Sequence, residues 1–386
     1  MNFTEDQKHF IELAMNGYNV FLTGKAGTGK STILREFLEL KEGSVACLAT
    51  TGVAANNVKG STIHSFFQIN PNIALVNQHN VSKWGWKKKR LWGQVETVVI
   101  DEISMATPLL IDNIEKTLQY NGMRSLISKQ LIFIGDLAQL PPVLNNMMTN
   151  FVIDYYGGIE FYLADVLVES AMQKVELTQI VRQSDQEFID ALNNIREGRQ
   201  EPYFKQFITD TPNDGVYLAP YKETVARLNQ EKYDAVDGKE YVYVAKKNGY
   251  LNTNDCNFEE VLKLKDGVKI MHLVNKGDLF NGAVGTFRII NELPYIEFEG
   301  KKYALEKTTY AKYSMELDSR GKITSKETAS ITQYPVRLAY ALTIHKSQGL
   351  TFDEMTLDLT RDCFANGQLY VALSRVRSPQ GLKIIM

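Results

Sequence analysis

The sequence predicts an α/β fold with two lobes of mostly parallel sheet and a β-rich segment inserted into the second lobe. In the first third of the chain, helical patterns alternate with short apolar runs that have the character of buried strands. The runs are residues 19–23, 45–49, 97–101 and 131–135. Strands that are apolar along their whole length and are separated by helices are typical of a parallel sheet covered on both faces.

The second half of the chain contains another α/β pattern that is split in two, at about residues 173–244 and 333–386. Between the two parts, strand-like segments dominate, with Asn281-Gly282 as a hairpin turn signal. These segments are residues 268–272, 284–290 and 295–298. The pattern indicates a small β-rich, barrel-like domain inserted into the second lobe.

The predicted boundaries follow from these patterns. The first lobe is residues 1–165, with a small wedge insertion at about 63–92. The second lobe is residues 166–245 and 329–386, and the inserted domain is residues 246–328.

Composition excludes several classes of protein. Apolar residues make up 44% and charged residues 23% of the 386 residues, which is ordinary for a soluble globular protein. No apolar run approaches the roughly 18 residues of a membrane span, and the N-terminus lacks a signal-peptide pattern. Three widely separated cysteines, Cys47, Cys256 and Cys363, argue for reduced thiols and an intracellular setting. With a net charge of −2, any nucleic acid must be held by a local groove.

Residues 24–31, GKAGTGKS, match the P-loop pattern and lie between a predicted strand and a predicted helix. Its glycines allow backbone N–H groups to turn toward phosphate oxygens, and the helix N-terminus favours the same anion. Lys30 is expected to neutralise the β- and γ-phosphates of ATP, and the Ser31 hydroxyl to ligate Mg²⁺. The nucleotide-binding residues predicted from this motif are Gly27, Thr28, Gly29, Lys30 and Ser31.

Two carboxylates, Asp101 and Glu102, end the third apolar run. Side chains at the carboxyl end of a parallel strand project toward a bound phosphate. Asp101 is expected to hold Mg²⁺ through a water molecule, and Glu102 to act as the base for the attacking water. The alternative is a solvated acidic strand end.

Gln7 allows two interpretations. Residues 4–7, TEDQ, fit a capping box in which Gln7 bonds back to the start of the helix. Alternatively, its carboxamide offers one donor and one acceptor to the edge of adenine. The local pattern leaves both roles open.

A series of seven motifs resembles the petite-integration-frequency (Pif-type) helicases of superfamily one, class B. Related phage helicases and the longer RecD-like helicases share much of the same order, and the resemblance covers nearly the whole chain. The motifs are TGVAA at 51–55, TIHSFF at 62–67, IDEISM at 100–105, GDLAQLPP at 135–142, LTQIVRQ at 177–183, TIHKSQGLT at 343–351 and QLYVALSR at 368–375.

The resemblance implies two RecA-like lobes with ATP hydrolysed between them. Arg182 and Arg375 would stabilise transition-state charge on the γ-phosphate, and Gln139 would sense that phosphate. Gly349 would let the backbone approach the nucleotide closely, and Gln348 would support the lobe interface. The family's N-terminal glutamine motif favours the adenine-reading role of Gln7. For Arg182 the alternative is a surface salt bridge.

The resemblance also implies a track for single-stranded DNA. The residues placed on it are Thr51, His64, Phe66, His345 and Lys346. Hydroxyl and imidazole groups suit phosphate contacts, and Phe66 would offer a stacking face. Taken alone, Phe66 could equally be a core residue and His64 a structural histidine.

A basic and aromatic cluster at residues 84–90, WGWKKKR, is attractive for strand separation near the duplex junction. Its other interpretation is a solvated basic face with two anchoring tryptophans. Some positions depart from the family pattern: Thr50 stands where a proline is common, 137–138 replaces an aromatic pair, and 219–223 lacks a Thr-Asn DNA contact.

The expected function is an ATP- and Mg²⁺-dependent 5′-to-3′ DNA helicase, with polarity implied only by the resemblance. The expected partners are single-stranded DNA and single-strand/double-strand junctions, with no membrane, and the chain is expected to act as a monomer that could oligomerise on DNA. Roles in DNA repair, replication, recombination and telomere maintenance are implied by the family, in the bacterial or phage cytoplasm, or in the nucleus or mitochondrion of a eukaryote. The competing functions are a P-loop kinase or small-molecule ATPase, and a DNA-binding module gated by ATP.

Overall fold

The structure is a computed structural model that describes residues 3–41, 44–71, 75–142, 144, 146–179, 185–199, 201–251, 256, 258–365 and 367–386. The chain forms two compact units. The first comprises Met1–Leu137, Pro141–Val181 and Ala311–Thr328, and the second comprises Ala138–Leu140, Arg182–Tyr310 and Ala329–Met386. The helices are α1 Glu5–Met15, α2 Lys30–Leu40, α3 Gly52–Asn57, α4 Ile63–Phe67, α5 Trp86–Gln94, α6 Pro108–Tyr120, α7 Asn146–Tyr156, α8 Gln186–Arg196, α9 Lys222–Asp234 and α10 Gln368–Leu373.

The first unit is built on a six-stranded parallel sheet of order β3-β2-β4-β5-β1-β6. Its strands are β1 Val20–Gly24, β2 Val45–Ala49, β3 Ser61–Thr62, β4 Thr97–Asp101, β5 Gln130–Ile134 and β6 Gln173–Leu177. The central strands are buried along almost their whole length because helices cover both faces of the sheet. The four apolar runs of the sequence are therefore confirmed as the central strands β1, β2, β4 and β5.

The predicted boundary between the lobes was wrong at β6. This strand was assigned to the second lobe, but it pairs with β1 in register from Val20↔Gln173 to Gly24↔Leu177. Its sequence, QKVEL, buries only alternate residues because β6 is an edge strand of the sheet. A half-buried edge strand lacks the continuous apolar run that marked the other strands.

The second unit contains a four-stranded parallel sheet of order β18-β7-β19-β20. Its strands are β7 Val216–Ala219, β18 Ala341–Thr343, β19 Met355–Asp358 and β20 Leu382–Ile385. The long chain segment between β7 and β18 confirms that this α/β sheet is interrupted by an insertion. All described pairs within the sheet are parallel, so their carboxyl ends lie at one edge.

The insertion consists of antiparallel sheets, as the strand-like segments predicted. A five-stranded sheet has the order β14-β13-β12-β11-β17, and smaller sheets pair β10 with β8 and order β15-β16-β9. The strands are β8 Glu240–Val244, β9 Lys246–Asn248, β10 Val261–Lys265, β11 Lys269–His272, β12 Val284–Ile290, β13 Leu293–Phe298, β14 Lys301–Ala304, β15 Thr308–Leu317, β16 Ile323–Gln333 and β17 Val336–Leu338. Its apolar core includes Leu262, Ile270 and Phe287.

The outer half of the β15–β16 hairpin belongs to the first unit, whereas the sequence placed residues 246–328 in one inserted domain. Met315 is buried in the hydrophobic core of the first unit, and Leu317 and Ile323 pack against the same core. The Ser325 hydroxyl donates a hydrogen bond to the Lys59 carbonyl over 2.7 Å. Since these contacts join segments far apart in the chain, local sequence pattern could not reveal them. Among the described residues, no helix combines the length and apolar character needed to cross a bilayer.

Candidate functional site

The predicted nucleotide residues of the first unit lie at the carboxyl edge of its sheet. The P-loop follows β1, Asp101 ends β4, and the neighbouring strands β2 and β3 lead to Thr51 and His64. Because all six strands are parallel, these segments leave the sheet on the same side. One edge therefore carries both the predicted phosphate site and the first part of the predicted DNA track.

The P-loop has the backbone conformation that its glycines predict. Gly27 and Gly29 adopt φ values of +82° and +87°, in the left-handed region that strains other residues. Gly29 is the N-cap of α2 and offers no side-chain cap to the first N–H groups of that helix. A β-carbon on Gly29 would lie 2.9 Å from Gln7 Nε2. The uncapped helix end is thus suited to bind an anion.

Lys30 is held over the loop that precedes it. Its ammonium donates hydrogen bonds to the carbonyl oxygens of Gly24, over 2.7 Å, and Lys25, over 3.1 Å. Its charge also acts on Asp101 and lowers the pKa of that carboxyl group. The structure therefore brings the P-loop lysine and the strand-end carboxylate together.

Asp101 is a carboxylate in a dehydrated position. Burial raises its pKa, while a hydrogen bond from the Glu102 N–H (2.9 Å) and the charge of Lys30 act in the opposite direction. Burial penalises the charged form of a carboxylate unless cations are near it. A divalent cation beside Asp101 would favour the ionised form. This electrostatic environment fits the predicted metal-binding role of Asp101.

Glu102 has a strained backbone. Its φ of +53° lies in the left-handed region, which is uncommon for residues other than glycine and is concentrated at functional sites. The Thr50 hydroxyl donates a hydrogen bond to the Glu102 carbonyl over 3.1 Å and supports this conformation. Sequence reasoning missed this role. The signal was the departure from proline at Thr50, because a proline has no hydroxyl to donate.

Ser104 is a second residue that sequence reasoning did not single out. It lies in the 3₁₀ turn Ile103–Met105 directly after Glu102. Its buried hydroxyl has no hydrogen-bond partner among the described residues. Buried polar atoms without partners are rare in native structures and point to a functional position.

Gln7 forms the capping box and also contacts the P-loop. Its side-chain oxygen accepts from the Thr4 N–H, and the Thr4 hydroxyl accepts from the Gln7 N–H, so the capping box is confirmed. Its Nε2 also donates to the carbonyl of Thr28 over 3.4 Å. Gln7 is buried against the P-loop, where a nucleotide-binding residue would be needed. Its contact with adenine stays a prediction.

The first-unit residues of the predicted DNA track differ in accessibility. Thr51 caps α3, its hydroxyl oxygen accepting from the Ala54 N–H over 3.2 Å. His64 is half-buried on α4, and burial lowers its pKa, which favours the neutral imidazole. A neutral imidazole can still donate one hydrogen bond to a phosphate.

Phe66 does not present the stacking face that the resemblance implied. It is 2% exposed and packs edge-on against Phe67, with ring centroids 5.0 Å apart. The Lys88 ammonium lies 3.4 Å from the centroid of the Phe66 ring and covers it. The alternative interpretation of Phe66 as a core residue is therefore the one that the structure supports.

The tryptophans of the basic cluster divide between the core and the surface. Trp84 is buried and stacks on Phe67, with centroids 6.4 Å apart. Trp86, at the start of α5, is 66% exposed. Only one of the two tryptophans anchors the cluster, and the other is accessible beside lysines. A role of this segment at a duplex junction stays a prediction.

In the second unit, Arg375 lies against the TIHKSQGLT motif. Its guanidinium is 2% exposed and donates to the carbonyls of Val371 (2.9 Å) and Leu350 (3.4 Å). A third bond runs to the Ser374 hydroxyl over 2.6 Å. These bonds orient the planar group beside the turn that contains Gly349, whose φ is +78°. Two motifs separated in sequence thus meet in one place.

Gln139 is positioned by the start of α10. A β-carbon on Gly367 would lie 2.3 Å from the Gln139 carbonyl oxygen and 2.6 Å from that of Ala138. Only glycine allows so close an approach of two backbones. The predicted γ-phosphate sensor is therefore fixed to the segment that leads to Arg375. Gln348 has a buried Nε2 with no hydrogen-bond partner among the described residues, so this donor is available for a ligand.

His345 and Lys346 follow β18 at the carboxyl edge of the second sheet. Burial lowers the pKa of both side chains. The charge of Lys222 adds to the effect at His345, and the charges of Arg337 and Lys222 add to it at Lys346. The carboxylate of Glu259 opposes the shift at Lys346. Arg182, the other predicted arginine, lies outside the described residues.

Comparison with known proteins identifies the family. Residues 2–204, more than half of the chain, match the family described as PIF1-like helicase. The chain belongs to the PIF1-like helicase family. It is 33% identical over 412 aligned residues to the ATP-dependent DNA helicase Pif1 of Bdellovibrio bacteriovorus, an alignment that covers 100% of this chain and 88% of that protein.

Solved structures of relatives share the fold. The structure of Pif1 from Bacteroides sp. in complex with ADP-AlF4 matches with a TM-score of 0.90 and 31% identity, over 100% of this chain and 92% of that one. Bacteroides Pif1 bound to single-stranded DNA matches with a TM-score of 0.67 at the same identity and coverage. These matches confirm the α/β class with RecA-like lobes that the PIF1-like motifs implied.

Proposed function

We propose that this PIF1-like chain is an ATP-dependent DNA helicase that translocates 5′ to 3′ on single-stranded DNA and unwinds duplex. The observation that carries the proposal is the carboxyl edge of the first sheet. There Lys30 and Asp101 interact, Glu102 is held in a strained conformation, and Thr51 and His64 lie at the ends of neighbouring strands. In this proposal, phosphate chemistry and nucleic-acid contact would share one edge of one sheet.

The hydrolytic step rests on the chain's own groups. Lys30 and the N–H groups at the start of α2 would bind the phosphates, and Gln7 would read adenine. Glu102 would accept the proton of the attacking water as it forms a bond to the γ-phosphorus and the bond to the β,γ-bridging oxygen breaks. Arg375 and Arg182 would stabilise the charge on the transferring phosphoryl group, with Gln139, Gln348 and Gly349 linking that state to the second lobe.

Magnesium fits the residues at this edge. The Ser31 hydroxyl and the Asp101 carboxylate are hard oxygen donors of the kind that Mg²⁺ prefers, Asp101 acting through water. When bound, the ion would neutralise phosphate charge. Asp101 is buried near Lys30, and a divalent cation beside it would favour its ionised form.

The nucleic-acid partner is supported by the relatives. Bacteroides Pif1 has been solved with single-stranded DNA, and the Bdellovibrio relative is an ATP-dependent DNA helicase. We infer that single-stranded DNA and its junctions with duplex are the partners here, contacted by Thr51, His64, His345 and Lys346. The 5′-to-3′ direction rests on the family resemblance.

The test is ATP hydrolysis measured by phosphate release at increasing concentrations of a single-stranded oligonucleotide. A helicase is expected to hydrolyse ATP faster when the strand is bound. A rate that is independent of DNA would contradict the proposal and favour a small-molecule ATPase. Transfer of phosphate to a small-molecule acceptor instead of water would favour a kinase, for which the Arg375 site has no evident use.

A further inference from the structure

Three neighbouring strands of the second sheet deliver aromatic residues to the same edge. His345 follows β18, Tyr221 follows β7, and Phe364 lies in the segment after β19. The strand order β18-β7-β19 places these segments side by side at the carboxyl edge. This is the edge at which parallel α/β sheets bind their ligands.

The rings form a continuous array. The centroids of Tyr221 and Phe364 are 5.2 Å apart with planes inclined by 48°. Phe364 and His345 are nearly parallel, at 15° and 6.0 Å. The Arg361 guanidinium carbon lies 3.6 Å from the centroid of Tyr221, close enough for a cation–π contact that holds the outer ring. Four flat groups from three separate segments of the chain therefore adjoin one another.

Phe364 is accessible although its backbone is firmly held. Its side chain is 56% exposed. Its N–H donates over 3.0 Å to Oε1 of Gln368, a residue that is completely buried. Nearer β19, the buried Asp358 accepts from the N–H and the hydroxyl of Thr360, over 3.0 and 2.7 Å. A phenyl ring presented to solvent by hydrogen-bonded backbone is available for a ligand.

Cations and carboxylates both surround the array. The cations are Arg361, Lys222, Lys346 and Arg337; the charge of Lys222 acts on both His345 and Lys346, and the charge of Arg337 acts on Lys346. The acidic groups nearby are Asp362 and Glu223, next to Arg361 and Lys222 in sequence, and Glu259, which faces Lys346. A polyanion with flat, apolar side groups matches flat aromatic faces bordered by cations.

We propose that Phe364, supported by Tyr221 and His345, is a stacking platform for a base of the single strand. The inference rests on the proposed function and adds residues that the motifs did not mark: Phe364, Tyr221 and Arg361. It also assigns base stacking to the second unit, since Phe66 in the first unit is buried beneath Lys88. Base stacking on an aromatic ring is tolerant of sequence because every base has a π face.

The test compares two strands of equal length, a normal deoxyoligonucleotide and one in which every base is replaced by an abasic site. Binding to the full chain is measured by fluorescence anisotropy. Phe364→Ala is expected to weaken binding of the normal strand by about 5-fold or more and to leave binding of the abasic strand unchanged. Phe364→Trp should restore the preference for the normal strand.

Tyr250→Ala is the matched control, because Tyr250 is an aromatic residue of the second unit that is 84% exposed. It should bind both strands as the unaltered chain does. A second readout uses 2-aminopurine in the strand, whose fluorescence falls on stacking; the fall should be smaller with Phe364→Ala.

Two results would overturn the stacking proposal. One is that Phe364→Ala weakens binding of the normal and the abasic strand equally, although the variant unfolds at the same temperature as the unaltered chain. The other is that Phe364→Ala weakens the binding of neither strand. If the unaltered chain itself does not bind the normal strand, the proposed helicase function fails, and this result is distinguishable because it does not depend on any variant.

Discussion

The carboxyl edges of the two parallel sheets have different chemistry. At the edge of the first sheet are glycines, a lysine and carboxylates, each within a few residues of its strand, as in the P-loop and the Asp101–Glu102 pair. The edge of the second sheet carries aromatic rings from separate segments, brought together by strand order, and the second unit also holds a buried arginine against the TIHKSQGLT motif. We expect the first edge to serve phosphate chemistry, and the second unit to hold the flat bases of a strand and, through Arg375, to respond to the nucleotide. Substitutions at the two edges should therefore impair different steps.

The largest effect is expected from Lys30→Ala. This change removes the cation that contacts the P-loop carbonyls and acts on Asp101, so ATP hydrolysis should fall by about 10³-fold or more, while single-strand binding persists. Phosphate release and anisotropy measure the two properties. Lys25→Ala, in the same loop, is the control and should retain most of the activity. Continued turnover by Lys30→Ala would refute the nucleotide site.

The second-largest effect is expected from Arg375→Lys, which should impair hydrolysis without impairing ATP binding. The variant keeps the charge but loses the planar donor array, so hydrolysis should slow by about 10²-fold or more while ATP binding remains. Binding of a fluorescent ATP analogue and phosphate release test this. Because Arg375 is buried, thermal unfolding must be measured alongside. The exposed Arg377→Lys is the matched control, and near-normal turnover by Arg375→Lys would remove the arginine from the hydrolytic step.

A smaller effect is expected from Thr50→Val, which deletes the hydroxyl that bonds to the Glu102 carbonyl. A neutral hydrogen bond contributes about 0.5–1.5 kcal/mol, so the ATPase rate should fall by roughly 2- to 10-fold. Thr50→Ser should retain the rate, because serine keeps the hydroxyl. If both variants are equally slow, the hydroxyl does not support the catalytic backbone.

The last prediction concerns stability instead of turnover, through the pH dependence that Lys88 contributes. Burial lowers the pKa of Lys88 from 10.5 to about 7, so the unfolded chain binds more protons than the folded chain between those values. The free energy of unfolding should therefore rise with pH across this window, by at most about 1.4 kcal/mol per pH unit, and the contact with Phe66 reduces the slope.

Lys88→Met keeps the apolar stem and should lose this contribution. Denaturant unfolding at several pH values above 7 measures the pH dependence of the free energy of unfolding in both chains. Lys87→Met, on the exposed side of the same helix, should change stability by no more than about 0.5 kcal/mol. An identical pH dependence in the unaltered chain and in Lys88→Met would show that Lys88 is charged in the folded state at all these values.

The elements that could be predicted are those whose signal is local. The strands β1, β2, β4 and β5 are buried on both faces and read as apolar runs, and the P-loop conformation follows from glycines at fixed offsets. The edge strand β6 was misplaced because only alternate residues are buried. Docking of Met315 into the first unit depends on a contact between distant segments, which no local pattern encodes.

The residues of the candidate site likewise include some that local motifs predicted and some that depend on contacts between distant segments. Lys30, Asp101 and Glu102 occupy the places that the motifs predicted, at one edge of one sheet. Phe66 was misinterpreted because the resemblance gave no information on what covers its ring, and Lys88 covers it. The array of Tyr221, Phe364 and His345 could not be predicted, since it exists only through the strand order of the second sheet.

The most direct test of the central claim, that ATP hydrolysis at the first edge drives movement along a strand, is displacement of a labelled strand from tailed duplexes. Matched duplexes with a 5′ or a 3′ single-stranded tail are incubated with the chain and ATP, or with a non-hydrolysable analogue. We predict displacement from the 5′-tailed duplex with ATP but not with the analogue, and no displacement by Lys30→Ala. Displacement from neither duplex, while ATP is hydrolysed and single strands are bound, would contradict the claim.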